Sequence, residues 1–201
     1  MTQARKTNVR ILVESALCIA LAVVLSELTP FKMPLGGSVT PFATVPIIVI
    51  GLRHGTKWGV ATALVYSFTQ TLLGLSNLAW IPVQTFGFYL LCILLDYVLA
   101  YTCLGFTGTI ARIFKNRNVG LTVGVIATGF ARFTCSFFSG ILIWGVPEEE
   151  AANWTAAGWS FVYNGTWCLP DVAIALAALL ILVQVPALGL LPAKKPAGAE
   201  I

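Results

Sequence analysis

Three ionisable side chains stand inside otherwise apolar stretches: Asp96 in Leu94-Leu95-Asp96-Tyr97-Val98, Arg132 in Ala131-Arg132-Phe133, and Asp171 in Leu169-Pro170-Asp171-Val172. Charges in such surroundings are costly, and they persist where they bind something or pair with one another. Arg132 is therefore read as a partner for Asp96 or Asp171, and Asp96 as the candidate to hold a ligand. Polar and aromatic groups recur around all three at helical spacing. Arg132, Ser136, Gly140 and Trp144 follow i, i+4, i+8, i+12; Asn164, Trp167 and Asp171 follow i, i+3, i+7; Tyr89 and Asp96 are seven apart. Each set falls on one face of a helix, so the stripes can share a cavity. One carboxylate among indole and phenol faces suits a flat aromatic cation. The carboxylate pairs with a positive ring nitrogen, and each ring face adds a cation–π contact of roughly 0.5 to 2 kcal/mol.

Other chemistries lack materials. The one histidine, His54, lies beside Arg53 and Lys57 in an expected turn, so neither a Ser/His protease nor a two-His metal site can be assembled. No GxxxxGK[ST] occurs; the stretch from Gly51 to Trp58 shares only a few letters with it. Cys18, Cys92, Cys103, Cys135 and Cys168 are odd in number, fall in apolar stretches and show no CxxC spacing, which points to packing rather than disulfides or zinc. No metal and no cofactor is expected.

The elements that must carry these residues follow from composition. Of 201 residues, 58% are hydrophobic and 10% charged, with mean hydropathy +0.88. At roughly 20 apolar residues per crossing, the chain has room for about six spans and no separate soluble domain. The apolar segments run Ile11 to Leu28, Phe42 to Leu52, Val60 to Leu75, Ile81 to Phe106, Val119 to Gly145 and Trp159 to Leu182. The second is only about half a bilayer long, and short segments in transporters often mark substrate sites. The first lacks a small-x-small cleavage site and is read as a retained helix rather than a signal peptide.

Placing the N-terminus inside collects ten cations on that face (Arg5, Lys6, Arg10, Arg53, Lys57, Arg112, Lys115, Arg117, Lys194, Lys195) against Lys32 outside. Five of the six tryptophans, Trp80, Trp144, Trp154, Trp159 and Trp167, then fall in the outer half. The expectation is an all-α integral membrane protein, a bundle of six transmembrane helices with both termini cytoplasmic. It comprises an N-terminal segment 1–10, a single membrane domain 11–190 and a tail 191–201.

Four stretches in order resemble the thiamine-specific S components of energy-coupling factor (ECF) vitamin transporters. They are Gly36-Gly37-Ser38 followed by Pro46 and Leu52-Arg53-His54-Gly55; Leu95-Asp96-Tyr97; Arg132-Phe133-x-x-Ser136-Phe137-x-Ser139-Gly140; and Tyr163-Asn164-Gly165-Thr166-Trp167 with Leu169-Pro170-Asp171. The similarity covers about residues 10–185. It implies a six-helix protein of the bacterial cell membrane, with an outward-facing thiamine pocket closed by the loop after the first helix. Asp96 and Tyr97 map onto the family's ligand-holding pair, Ser136, Gly140 and Trp144 onto its fifth-helix pattern, and Trp159, Tyr163 and Asn164 onto its sixth. Trp154, Trp167, Arg132 and Asp171 are possible additions.

The resemblance also implies partners: a transmembrane coupling protein and two cytoplasmic ATPases, docked through an Ala-x-x-x-Ala surface that maps to Ala16 and Ala20. Small residues four apart permit close helix approach. The chain departs from the family in three places. Asp96 stands for Glu, retracting the carboxylate by about one C–C bond, roughly 1.5 Å; Ser136 stands for His, and Trp159 for Tyr. The ligand implied is thiamine or a related pyrimidine, thiazole or other heterocycle. From the residues alone, a second function stays open: a self-sufficient proton- or sodium-coupled carrier with Asp96, Arg132 and Asp171 as a relay.

Overall fold

The computed structural model describes residues 3–33 and 37–191. Gly36, the tail beyond Leu191 and the side chains of Arg5, Lys6, Lys32, Lys194 and Lys195 lie outside what is described. The helices are α1 (Gln3–Glu27), α2 (Val45–His54), α3 (Thr56–Leu73), α4 (Phe86–Ala111), α5 (Arg117–Trp144) and α6 (Ala156–Leu182). By length and composition α1 from Thr7, α4, α5 and α6 can each cross a membrane. The α2 helix has 10 residues, and α3 has 18 that include Lys57 and Gln70. A short antiparallel ladder, β1 (Phe31–Lys32) with β2 (Ser38–Val39), lies in the connection from α1 to α2 and was not expected of an all-α chain.

Local chemistry sets the helix ends. Asn116 caps α5, its side-chain oxygen accepting from the N–H groups of Asn118 and Val119 at 3.0 and 3.2 Å; Thr155 caps α6 through the N–H of Gly158 at 3.1 Å. The fourth apolar segment was expected to be helical from Ile81. Instead Leu75–Trp80 forms a 3₁₀ turn, Ile81 is extended and α4 begins at Phe86, because a residue before proline, here Pro82, is disfavoured in the helical region. Gly55, at φ +90°, turns the chain from α2 into α3 in one residue.

Two helices depart from α geometry at one level of the bundle. The α4 helix is π-helical over Ile93–Leu99, and α5 ends in a π turn over Gly140–Trp144, where the Gly145 N–H bonds the Gly140 carbonyl at 2.9 Å. Such turns are rare and occur often at functional sites.

At the opposite end α2, α3 and α4 meet closely on glycines. A Cβ added at Gly59 would lie 2.6 Å from both the Gly51 Cα and the Gly105 carbonyl oxygen. Val45, Ile48, Leu52, Leu104, Leu121, Val125 and Leu179 form the main buried cluster beside this junction. Arg112 and Arg117 close it by donating to the carbonyls of Leu52 and Leu190. The cavity lies at the other end, lined by polar and aromatic residues.

Candidate ligand-binding cavity

The cavity is bounded by α4, α5, α6 and the segment 37–40. Asp96, Tyr97, Ser136, Gly140, Trp144, Trp159, Tyr163 and Asn164, the residues singled out from the sequence, all line it, as do Arg132 and Trp167. Two of the possible additions do not. Trp154 packs edge-on against Trp159, 6.2 Å between ring centroids, and Asp171 lies behind the wall.

Asp96 reaches the cavity from the π turn of α4. Its Oδ2 accepts three hydrogen bonds, from the Ser139 hydroxyl at 2.6 Å, the Trp144 Nε1 at 3.1 Å and the Cys92 thiol at 3.3 Å. Its Oδ1 accepts none, and no cation pairs with the carboxylate, among the described residues. Tyr89, expected on the same face, packs instead in the apolar cluster of Ile81, Cys92 and Ile143. The seven-residue rule assumes α geometry, and the π turn beginning at Ile93 changes the phase between Tyr89 and Asp96.

The α5 stripe of Arg132, Ser136, Gly140 and Trp144 faces the cavity along its length. Gly140 is required by contact: a Cβ there would run into Ser160 of α6, whose own Cβ would be 2.9 Å away. The Ser136 hydroxyl makes no hydrogen bond among the described residues and is available to a ligand. Asn164, by contrast, is used within the wall. Its amide nitrogen donates to the Ser160 carbonyl and hydroxyl at 2.9 and 3.1 Å and to the Ser136 carbonyl at 3.3 Å, and its oxygen accepts from the Trp167 indole at 3.2 Å. Trp159 stacks on Tyr163, centroids 6.3 Å apart and planes 24° from parallel, giving an extended aromatic surface.

Arg132 pairs with Asp171, Nη1 to Oδ2 at 3.3 Å, and not with Asp96. Its guanidinium lies between two rings that also line the cavity, 4.8 Å from the Tyr101 centroid and 4.7 Å from that of Trp167. Asp171 accepts in addition from the Thr40 backbone N–H at 2.8 Å and the Thr40 hydroxyl at 3.1 Å. Three residues earlier, the Gly37 N–H donates to the Tyr163 hydroxyl at 2.9 Å. Gly37 to Thr40 thus forms a strap fastened at both ends to one face of α6, where Tyr163, Trp167 and Asp171 recur every fourth residue. Eight helical residues rise about 12 Å, and a short extended segment of this length spans about 10 Å, so strap and stripe match.

Sequence reasoning missed Gly37, Ser38, Thr40, Asn77, Tyr101 and Ser160 as lining groups, and Ser139 and Cys92 as partners of Asp96. The Gly36-Gly37-Ser38 motif was the available signal for the strap; Ser139 stands in the Arg132-to-Gly140 motif but off the four-residue stripe, and was not read as a partner of Asp96.

Three comparisons bear on this arrangement. Residues 12–188 match the family model described as thiamine transporter protein (Thia_YuaJ). The chain is 29% identical over 183 residues to the thiamine transporter ThiT of Bacillus subtilis (strain 168), covering 85% of this chain and 88% of that protein. It also superposes on the structure of ThiT from Listeria monocytogenes with a TM-score of 0.72 at 24% identity, over 90% of this chain and 98% of that one. The last likeness is one of fold.

Proposed function

The chain belongs to the thiamine transporter protein family, and on that premise we propose that it is the substrate-binding (S) subunit of an ECF-type importer that takes up thiamine from outside. It is a multi-pass bacterial membrane protein and a transporter, not an enzyme. In this reading all six helices lie within the bilayer, α2 as a half-length segment, with both termini cytoplasmic and the cavity opening outward.

The observation that carries the proposal is the state of Asp96. A carboxylate solvated on one oxygen by three neutral donors, with its other oxygen accepting no hydrogen bond and no cation paired with it among the described residues, is built for a cation that arrives from elsewhere. Trp144, Trp159, Tyr163 and Trp167 line the same cavity, with aromatic rings of the size of a pyrimidine and a thiazolium. Ligand charge and ligand shape are then recognised by separate groups.

Binding proceeds from the open side, with Asp96 Oδ1 meeting the cationic group and the aromatic walls stacking on the rings. The strap from Gly37 to Thr40 fastens against α6 and separates the ligand from water. Transport beyond that point requires reorientation driven by ATP hydrolysis on two cytoplasmic ATPases through a transmembrane coupling protein. Ala16 and Ala20 are both exposed on α1 beside Leu12, Leu17 and Leu21, an unobstructed face for such a partner.

Titration of the purified protein with thiamine, followed by quenching of intrinsic tryptophan fluorescence and by thermal unfolding, tests the ligand. Saturating thiamine at about 100 times Kd adds about 2.7 kcal/mol of stability; no quench and no stabilisation removes the assignment. Uptake into vesicles tests the energy source. Gradient-driven accumulation with no ATPase present would replace the S-subunit reading with that of a self-sufficient carrier.

A further inference from the structure

Ser139 touches the cavity's key carboxylate yet lies off the stripe that lines the cavity. It is wholly buried at 0% exposure, and its hydroxyl makes the shortest of the three hydrogen bonds to Asp96, 2.6 Å to Oδ2. The Trp144 indole, five residues later, donates to the same oxygen. In an α-helix, residues five apart point about 140° away from each other around the axis. They converge here because the turn between them is π-helical and closed by the Gly145-to-Gly140 bond; a turn with i→i+5 bonds brings residues five apart onto nearly one face. The facing turn of α4, Ile93–Leu99, is also π-helical and carries Asp96.

From this geometry we infer that Ser139 is a positioning residue for ligand recognition: with the π turn that aligns it with Trp144, it holds Oδ2 of Asp96 and so turns Oδ1 toward the ligand's cationic group. The inference rests on the reading of the cavity as the thiamine site. Its physical content is pre-organisation. A carboxylate free to rotate about its terminal torsion would be ordered anew at each binding event, and fixing it beforehand removes that cost from the affinity. The choice of oxygen is also made here, because three donors on Oδ2 leave Oδ1 as the acceptor with no partner among the described residues, on a side chain that lines the cavity. Cys92 adds a weak third donor from the preceding turn of α4, so the carboxylate is held from both helices. Ser139 itself does not line the cavity; it acts through Asp96.

The test is a double-mutant cycle of Ser139→Ala and Asp96→Ala, read as thiamine Kd by isothermal titration calorimetry on the purified full-length protein. Ser139→Ala is expected to raise Kd about tenfold in the native background, about 1.4 kcal/mol, and less than twofold where Asp96 is already alanine. Thermal unfolding without ligand checks that each variant is folded. If Ser139→Ala does not fold, Ser139→Cys, which keeps a weaker donor of similar size, is expected to give an intermediate Kd.

Three outcomes overturn the inference. Unchanged affinity in Ser139→Ala, with Asp96→Ala weakened, removes Ser139 and leaves the site standing. A tenfold loss in both backgrounds makes Ser139 a packing residue. Unchanged affinity in Asp96→Ala instead removes the carboxylate from the site, and the proposed binding mode falls with it.

Discussion

Thr40→Val isolates one of the strap's fastenings. Valine keeps the shape of threonine and puts a methyl in place of the hydroxyl, whose oxygen lies 3.1 Å from Asp171 Oδ2. The backbone N–H of residue 40 keeps its bond to Oδ1, and Arg132 keeps its contact with Oδ2. A hydrogen bond to a charged group contributes about 1.5 to 3 kcal/mol; this one is partly buried and not short, which places it near the lower figure. Removing about 1.4 kcal/mol from the closed state multiplies the open fraction about tenfold. If the ligand leaves only when the strap opens, its dissociation rate rises by the same factor, while association, which begins from the open state, changes little. Stopped-flow fluorescence with thiamine measures both rates. A dissociation rate within twofold of the native one, in a protein that binds and unfolds normally, would refute the strap as the barrier to escape.

Two further outcomes follow from packing and charge. Gly59→Ala forces a methyl against backbone atoms of α2 and α4, 2.6 Å from each, with no side chain to yield; overpacking of this kind costs about 1 to 3 kcal/mol, visible as a lower unfolding temperature with thiamine affinity retained, whereas an unchanged unfolding temperature means the helices separate freely there. Arg132→Met strands Asp171 as an unpaired buried charge at a cost of about 3 to 5 kcal/mol, and Arg132→Met/Asp171→Asn is expected to recover most of the lost thermal stability; equal destabilisation of the single and double variants would show that the pair's charge is not what matters.

Which parts of the site were legible depended on helix geometry. Along α5 the backbone is α-helical as far as Ser139, and four-residue spacing put Arg132, Ser136 and Gly140 on the cavity wall; Trp144 reaches it as well, although the step from Gly140 crosses the π turn. The same rule failed on α4, where Tyr89 and Asp96 are seven apart in sequence but separated in space by the start of a π turn. It failed again for Ser139, which an α-helical count assigns to a neighbouring face. Nothing in the sequence marks where a helix will admit an extra residue per turn, because the local propensities of Ile93 to Leu99 are those of any apolar helix. The helix starts were set by local chemistry that the apolar runs do not show: Gly55 and Asn116 start α3 and α5 ahead of the runs from Val60 and Val119, and at Ile81 Pro82 was the overlooked stop.

The three buried charges show the limit of reading function from depth in a membrane. Asp96, Arg132 and Asp171 are alike in sequence terms: each is ionisable, each sits in an apolar stretch, and either aspartate could have partnered the arginine. The fold divides them by a contact that no spacing rule contains, since Thr40 arrives from a loop 131 residues before Asp171 and satisfies both of its oxygens. Asp171 is thereby committed to the strap and to Arg132, and Arg132, held between Tyr101 and Trp167, is committed to the wall. A relay would need these groups to exchange partners and protons; here they neutralise each other and fix the strap in place. Asp96 is left, among the described residues, as the carboxylate with one oxygen that accepts no hydrogen bond and with no paired cation, which is what the proposed role in holding a cationic ligand requires. On the proposed reading, the charge kept for binding is the one that the described residues leave unpaired.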